Sequence, residues 1–366
     1  MLRKIVAPVV LALAVGGSFA YFLSNSSRST IATSVTRAQR PAHPKGRSRP
    51  TTTTTTSTTQ PQAQTISGVG ELQVPVVEPG RLMCPPGFPC AERTYTLQVY
   101  YPSTTVTGGT PVASAPLARP INPYPVIVFG EGFNVMPATY LPLLTAWVSA
   151  GYVVASPIFP LTSAEGLAHY GVNLNNVELA DHYEDDLTNE PGDLSAAITE
   201  MATLASTSTS PLSGEIDPND VAVAGQSDGA DAALALAANT CCVDSRVKAA
   251  LVLSGAEFPG YQGQYFSTPA IPLLVTQGSA DTVNAPYLSS QIYSLAPAPK
   301  AYLTLIGADH LAPYTALDPY ESVVAKVTTD FLNGYLKGSQ TSLGQMTADG
   351  TVSGVAQLVS DLSSSG

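Results

Sequence analysis

Charge is scarce in this chain. Asp, Glu, Lys and Arg together make up 12% of its 366 residues, against 44% hydrophobic residues. That leaves ample material for a buried core, in one large domain or two small ones. Positive charge is scarcest where it would matter most. Residues 1–50 hold eight Lys or Arg and no Asp or Glu, whereas residues 51–366 hold eight basic against 27 acidic side chains. A body so acidic repels phosphate backbones, which argues against nucleic acid as a partner; a soluble acidic surface accounts for it. Histidine is rarer still, with four in all. None lies near a cysteine, which weakens any metal site built on the four cysteines. No internal repeat is present, so the body reads as one domain.

Those four cysteines fit an oxidising compartment. Cys84 and Cys90, in "CPPGFPC", are close enough for a local loop disulfide, and Cys241 and Cys242 are adjacent. Four cysteines allow three pairings, and the sequence leaves all three open.

What is present begins with a leader. Arg3 and Lys4 precede a nearly unbroken apolar or small run from Ile5 to Leu23, and Ser18-Phe19-Ala20 offers small residues where a signal peptidase would cut. Residues 1–23 therefore read as a signal peptide. The run 5–23 is also long enough for an uncleaved signal anchor, which takes roughly 17–25 residues. Against an anchor with its N-terminus inside, the segment after the run (Arg28, Arg37, Arg40, Lys45, Arg47, Arg49) is more basic than the one before it. Both readings put the body outside the cytoplasm, secreted or surface-tethered. Residues 24–70, with "TTTTTTSTTQPQAQT", read as a disordered Ser/Thr/Pro-rich linker that buries too little to offset chain entropy. Residues 71–340 read as the folded domain, and 341–366 as a Ser/Gly-rich tail.

Within the body, "TYTLQVYYP" (94–102) reads as an antiparallel strand toward one edge. "YPVIVFG" (124–130) and "GYVVASP" (151–157) are apolar runs of the kind buried on both faces of a sheet. Helices are expected over 138–150, 192–206 and 319–336. "DVAVAG", "RVKAALVLSG", "IPLLVTQGS" and "AYLTLIGAD" read as further strands, and "DGADAALALAAN" as a helix. The polar stretch 160–190, with "ELADHYEDD", reads as an excursion. Buried strands alternating with helices predict an α/β domain whose central sheet is mostly parallel, with helices on both faces.

One junction carries chemistry. "VAVAGQSDGADAALAL" (221–236) sets Gly225-Gln226-Ser227-Asp228-Gly229 between a strand and a helix. A sharp strand-to-helix turn holds a serine in a strained conformation, and its neighbours two positions away must be small. The helix that follows points its positive end at developing negative charge. A serine nucleophile needs a base and an orienting carboxylate, in the chain order Ser, acid, His for such a turn. His310 is the only histidine after Ser227, just past a predicted strand, and Asp281 follows another strand between them. Asp309 is a rival orienter, set aside because adjacent residues in a turn rarely face each other. The oxyanion donors expected are the backbone N–H groups of Asp228 and of Phe133 in "VFGEGFN", with Gly132 next in line. Phe133, Leu161 and Tyr170 are candidates for lining an acyl pocket. The acidic run Glu184–Asp186 reads as a solvated face, with a calcium site as the minority alternative. The chemistry calls for neither cofactor nor metal.

Through "PYPVIVFGEGF", "WVSAGYVVASPIFP", "EPGDLSAAI", "VAVAGQSDGA", "QGSADTVNAP" and "GADHLAPY" the chain resembles the α/β-hydrolase superfamily, in its secreted lipase, dienelactone-hydrolase-like and polyester-hydrolase branch. The last two segments are similar to the acid and histidine loops of cutinase-like polyester hydrolases. The resemblance implies the α/β-hydrolase fold and a serine esterase or lipase acting on small or polymeric esters. A peptidase or acyltransferase on the same scaffold, or a non-catalytic binding protein, are the alternatives. The chain departs from the family at Glu131-Gly132, where His-Gly is common, and at Gln226 and Asp228 on either side of the serine. Two acidic side chains near an oxyanion oppose it unless paired or protonated. The expectation is that Glu131 bonds Gln226 and that Asp228 points away.

Overall fold

A computed structural model describes residues 62–315 and 318–362. The leader 1–23 and most of the linker fall outside the described residues. Ten strands form one sheet: Gly68–Met83 (β1), Ala91–Ser103 (β2), Val112–Ala113 (β3), Tyr124–Gly130 (β4), Val153–Pro157 (β5), Ile216–Gln226 (β6), Val247–Leu253 (β7), Leu273–Gly278 (β8), Lys300–Leu305 (β9) and Ala356–Asp361 (β10). Their spatial order is β10-β9-β8-β7-β6-β4-β5-β2-β1-β3, an open sheet not closed into a barrel. From β5 through β4 and β6 to β9 every neighbouring pair is parallel. On the flanks, β2 pairs β5 and β1 antiparallel, and β10 pairs β9 antiparallel.

The central strands have the sequence expected of them. All seven residues of β4 are buried, as are all five of β5. An apolar run hidden on both faces requires helices above and below. They are Leu141–Ser149 (α1), Ala164–His169 (α2), Val177–Glu184 (α3), Glu190–Ser206 (α4), Asp228–Ala238 (α5), Pro286–Leu295 (α6), Tyr320–Leu336 (α7) and Gln340–Asp349 (α8). One core packs α4, α5 and α6 (Leu194, Ile198, Leu234, Ile292) onto Val126, Val128, Val223 and Val252 of the sheet. The other packs α1, α7 and α8 (Leu144, Trp147, Phe331, Met346) onto Ile127, Phe129, Ala224 and Leu251. Alternate residues of the same strands thus serve opposite cores. Trp147 Nε1 donates to Thr328 Oγ1 at 2.9 Å, tying α1 to α7.

The structure differs from the sequence expectation at both ends of the domain. The linker reading runs to residue 70, yet β1 starts at Gly68 and pairs with β2 from Gly68↔Ser103 onward. β1 holds Pro75 and Pro79-Gly80, which disguise a strand, but it lies near the sheet edge and bulges between Glu78 and Leu82, where proline is tolerated. The Ser/Gly-rich tail is ordered through residue 362. Ser339 caps α8 by accepting from the Ser342 N–H, Met346 is fully buried, and β10 closes the far edge. The excursion 160–190 folds into α2, α3 and a short 3-10 turn. Both cysteine pairs are local: Cys84–Cys90 and Cys241–Cys242. Among the described residues no helix is long and apolar enough to cross a membrane.

Candidate active site

β6 ends at Gln226 and α5 starts at Asp228, so Ser227 alone makes the turn, at φ 56° and ψ −122°. A non-glycine residue held there costs about 1–3 kcal/mol. The two flanking glycines make the turn possible. A Cβ at Gly225 would overlap the backbone of Gly229, and one at Gly229 would overlap the carbonyl of Gly130 at the end of β4. The helix can therefore start against the strands only without side chains at these positions. The Ser227 N–H donates to the Leu253 carbonyl of β7 at 3.0 Å, fixing the turn to the next strand.

The loops after β8 and β9 bring two partners to this serine. Ser227 Oγ lies 2.9 Å from His310 Nε2, and His310 Nδ1 lies 2.7 Å from Asp281 Oδ2. The tautomer with the proton on Nδ1 donates to Asp281 and leaves Nε2 to accept from the serine hydroxyl. Asp281 Oδ1 accepts from the Val283 and Asn284 N–H groups at 2.8 and 3.0 Å, and Oδ2 also accepts from Gln277 Nε2 at 2.8 Å. Burial pushes the Asp281 carboxyl up, but the His310 ring and these donors outweigh it and hold the group below the ordinary aspartate value. It stays ionised. Asp309, the rival, is spent on its own turn, accepting from the Leu311 and Ala312 N–H groups.

The residues before the nucleophile and after β4 interlock. The Gly132 N–H donates to the Tyr140 hydroxyl at 3.2 Å, Tyr140 donates to Gln226 Oε1 at 2.7 Å, and Gln226 Nε2 donates to the His310 carbonyl at 3.0 Å. The expected Glu131–Gln226 bond is absent because each side chain has other partners. Glu131 Oε1 takes the Phe159 N–H at 2.8 Å, while Oε2, fully buried, has no partner. Burial drives the Glu131 carboxyl up to about 8, only partly offset by the backbone N–H groups of Phe159 and Glu131 itself. Glu190, also fully buried, is driven well above its ordinary value by burial and by Asp228, against one hydrogen bond from Thr162. Asp228 is 4% exposed, within the first turn of α5.

Gly132 packs against the serine: a Cβ there would meet Ser227 Cβ at 3.1 Å and Gln226 Oε1 at 2.9 Å. Phe133 follows directly, and no acceptor among the described residues takes its N–H. The three pocket candidates do converge. Phe133 and Tyr170 pack with Leu161, Leu167 and Tyr183 in one apolar cluster over the excursion. Leu161 is 3% exposed and backs this wall, whereas Phe133 and Tyr170 remain partly open. The tip of the β1–β2 hairpin, closed by Cys84–Cys90, adds Phe88, whose ring meets Tyr170 edge-on at 5.0 Å.

The acidic run also needs correcting, since Asp186 is buried and not part of a solvated face. Arg93, with no exposed surface, donates to Asp186 at 2.8 and 3.1 Å and to Asp193 at 2.5 and 2.6 Å. Arg81 adds a bond to Asp193 at 2.9 Å and one to the Asn189 carbonyl at 2.7 Å, so the hairpin clasps the start of α4. Among the described residues no group of three or more His, Cys, Asp or Glu is placed to hold a metal ion. Sequence reasoning missed Tyr140, Arg93 and Glu190; their partners lie far away along the chain, and no local pattern marks them.

A comparison with curated proteins found no match. The PET hydrolase-like family matches residues 151–346, a span that holds Ser227, Asp281 and His310 but neither the 130–133 loop nor the β1–β2 hairpin. By that match, and by its open, mostly parallel ten-stranded sheet, the chain belongs to the PET hydrolase-like family, ester hydrolases of the α/β-hydrolase superfamily.

Proposed function

We propose that the chain is a secreted or surface-tethered serine ester hydrolase, acting on small or polymeric carboxylic esters through an acyl-enzyme. One observation carries the reading: a serine on a strained strand-to-helix turn, 2.9 Å from a histidine that is itself 2.7 Å from a buried carboxylate. Ser227 Oγ attacks the ester carbonyl as His310 Nε2 takes its proton, and Asp281, ionised, holds the ring and stabilises the imidazolium. The tetrahedral oxyanion receives the N–H groups of Phe133 and Asp228 at the positive end of α5; each such donor is worth about 10²–10³ in kcat. His310 returns the proton to the departing alcohol. Water, activated by the same ring, then releases the acid. The exported location is supported by two disulfides in the folded body and by the leader-like residues 1–23.

The test is a fluorophosphonate probe on the folded protein, with the labelled residue located by mass spectrometry. Labelling at Ser227 that disappears in His310→Ala is the expected result. A folded, monodisperse sample that takes no label would refute it, and a binding role would replace it.

A further inference from the structure

Gln226 and Tyr140 take no part in the chemistry above, yet both are buried against it. Their hydrogen bonds form a single line from the β4–α1 connection through the end of β6 to the loop after β9: Gly132 N–H to Tyr140 hydroxyl at 3.2 Å, Tyr140 to Gln226 Oε1 at 2.7 Å, and Gln226 Nε2 to His310 C=O at 3.0 Å. One end is the residue before the proposed oxyanion donor Phe133. The other end is the backbone of the proposed base. Gln226 itself adjoins the nucleophile, and its carboxamide leaves no room for a side chain at Gly132. The amide nitrogen also lies 3.3 Å from His310 Nε2, on the ring nitrogen that must face Ser227. An amide N–H can donate to that nitrogen but cannot accept from it, so it favours the tautomer in which Nε2 carries no proton, the one that can take the serine proton.

We infer that Gln226 and Tyr140 are a positioning pair that sets the oxyanion loop and the histidine loop in one register about Ser227. The inference rests on the serine-hydrolase reading above. Neither side chain is asked to touch substrate; each acts through the groups it holds. A misplacement of about 1 Å at groups of this kind is enough to lower turnover roughly 100-fold. Because the two side chains share one bond, removing either breaks the same line, and removing both adds little.

The experiment compares the full chain with Tyr140→Phe, Gln226→Met, the double variant and Gln226→Glu. The readouts are the rate of fluorophosphonate labelling at Ser227 and the steady-state kinetics on a soluble short-chain ester. Tyr140→Phe keeps the ring that packs edge-on against Phe129 at 5.0 Å, so it is the variant that folds in any case. Expected are a fall of about 10- to 100-fold in kcat and in labelling rate, KM within about threefold of wild type, and a double variant no worse than the poorer single one. Gln226→Glu keeps an acceptor for Tyr140 but has no N–H for the His310 carbonyl, so it falls with Gln226→Met. Single variants that label at the wild-type rate overturn the inference, as do losses that multiply in the double variant or lie in KM alone. Wild type that takes no label while folded defeats the nucleophile reading itself, and the positioning role with it.

Discussion

Glu131 sits one residue before Gly132 with a buried carboxyl held at about 8 against an ordinary value of 4.5. Below pH 4.5 the group is protonated in the folded and the unfolded chain, and stability is unaffected. Between 4.5 and 8 the unfolded chain has released a proton that the folded chain retains, so rising pH favours unfolding. Above about 8 both forms are ionised and the loss is complete. Each pH unit in that window removes about 1.4 kcal/mol, roughly 5 kcal/mol over the whole of it. Glu131→Gln copies the protonated acid: its carbonyl oxygen can keep the Phe159 N–H, and its amide cannot ionise. The variant is expected to match wild type within about 1 kcal/mol at pH 5 and to exceed it by several kcal/mol at pH 9. Urea unfolding followed by the fluorescence of Trp147, the only tryptophan and fully buried, measures this at both pH values. Turnover should follow the same group, because an ionised Glu131 puts negative charge beside the proposed oxyanion loop. Wild type should lose activity above about pH 8 where Glu131→Gln does not. Equal destabilisation of the variant at both pH values would refute the reasoning, because the carboxyl would then be needed for its bonds and not penalised for its charge.

Three further outcomes follow from the same structure. Asp281→Asn keeps the packing but cannot accept the His310 Nδ1 proton without turning its amide; kcat should drop by about 10⁴ with little change in KM, measured on a short-chain ester. Arg93→Met leaves Asp186 and Asp193 buried without their main cation and should destabilise the protein by about 3–5 kcal/mol. Burial already lifts the Asp193 carboxyl to about 6 despite the Arg93 and Arg81 cations, so the defect should shrink on acidification to pH 5, as urea midpoints at pH 5 and 8 would show. Phe88→Ala removes an edge-on aromatic contact of about 0.5–1.5 kcal/mol from the rim beside Tyr170. It should raise KM roughly two- to tenfold for bulky aromatic acyl esters and leave acetate esters unchanged; an equal effect on both would rule out a role in acyl selection.

The centre of the fold was readable because burial on both faces writes itself locally. "YPVIVFG" is β4 residue for residue, and "VAVAGQSDG" carried its own steric argument in two glycines. The triad candidates were readable because histidine is so rare that chain order left one choice after Ser227. What escaped was written non-locally. β1 and β10 are flank strands whose apolar content is diluted by proline or serine, and each is defined by a partner strand and not by its own pattern. Arg93 reaches Asp186 and Asp193 about a hundred residues on, so one member of an acidic run that otherwise reads as solvated, Asp186, belongs to a buried ion cluster while Asp185 stays exposed.

The departures around the serine, which on sequence alone count against catalysis, become compatible with it once burial is included. A buried carboxyl whose second oxygen has no protein partner favours the neutral acid, so at neutral pH Glu131 adds little negative charge to the proposed oxyanion region. Asp228 stands in the first turn of α5, where the helix dipole favours an acidic side chain, while the backbone N–H that chemistry needs is independent of what the side chain carries. Gln226 gives up the contact with Glu131 that its position suggested and spends both ends of its carboxamide on Tyr140 and His310. The same three departures are therefore compatible with the proposed reaction and predict that it responds to pH. A site that loses function as Glu131 gives up its proton should work best below about pH 8.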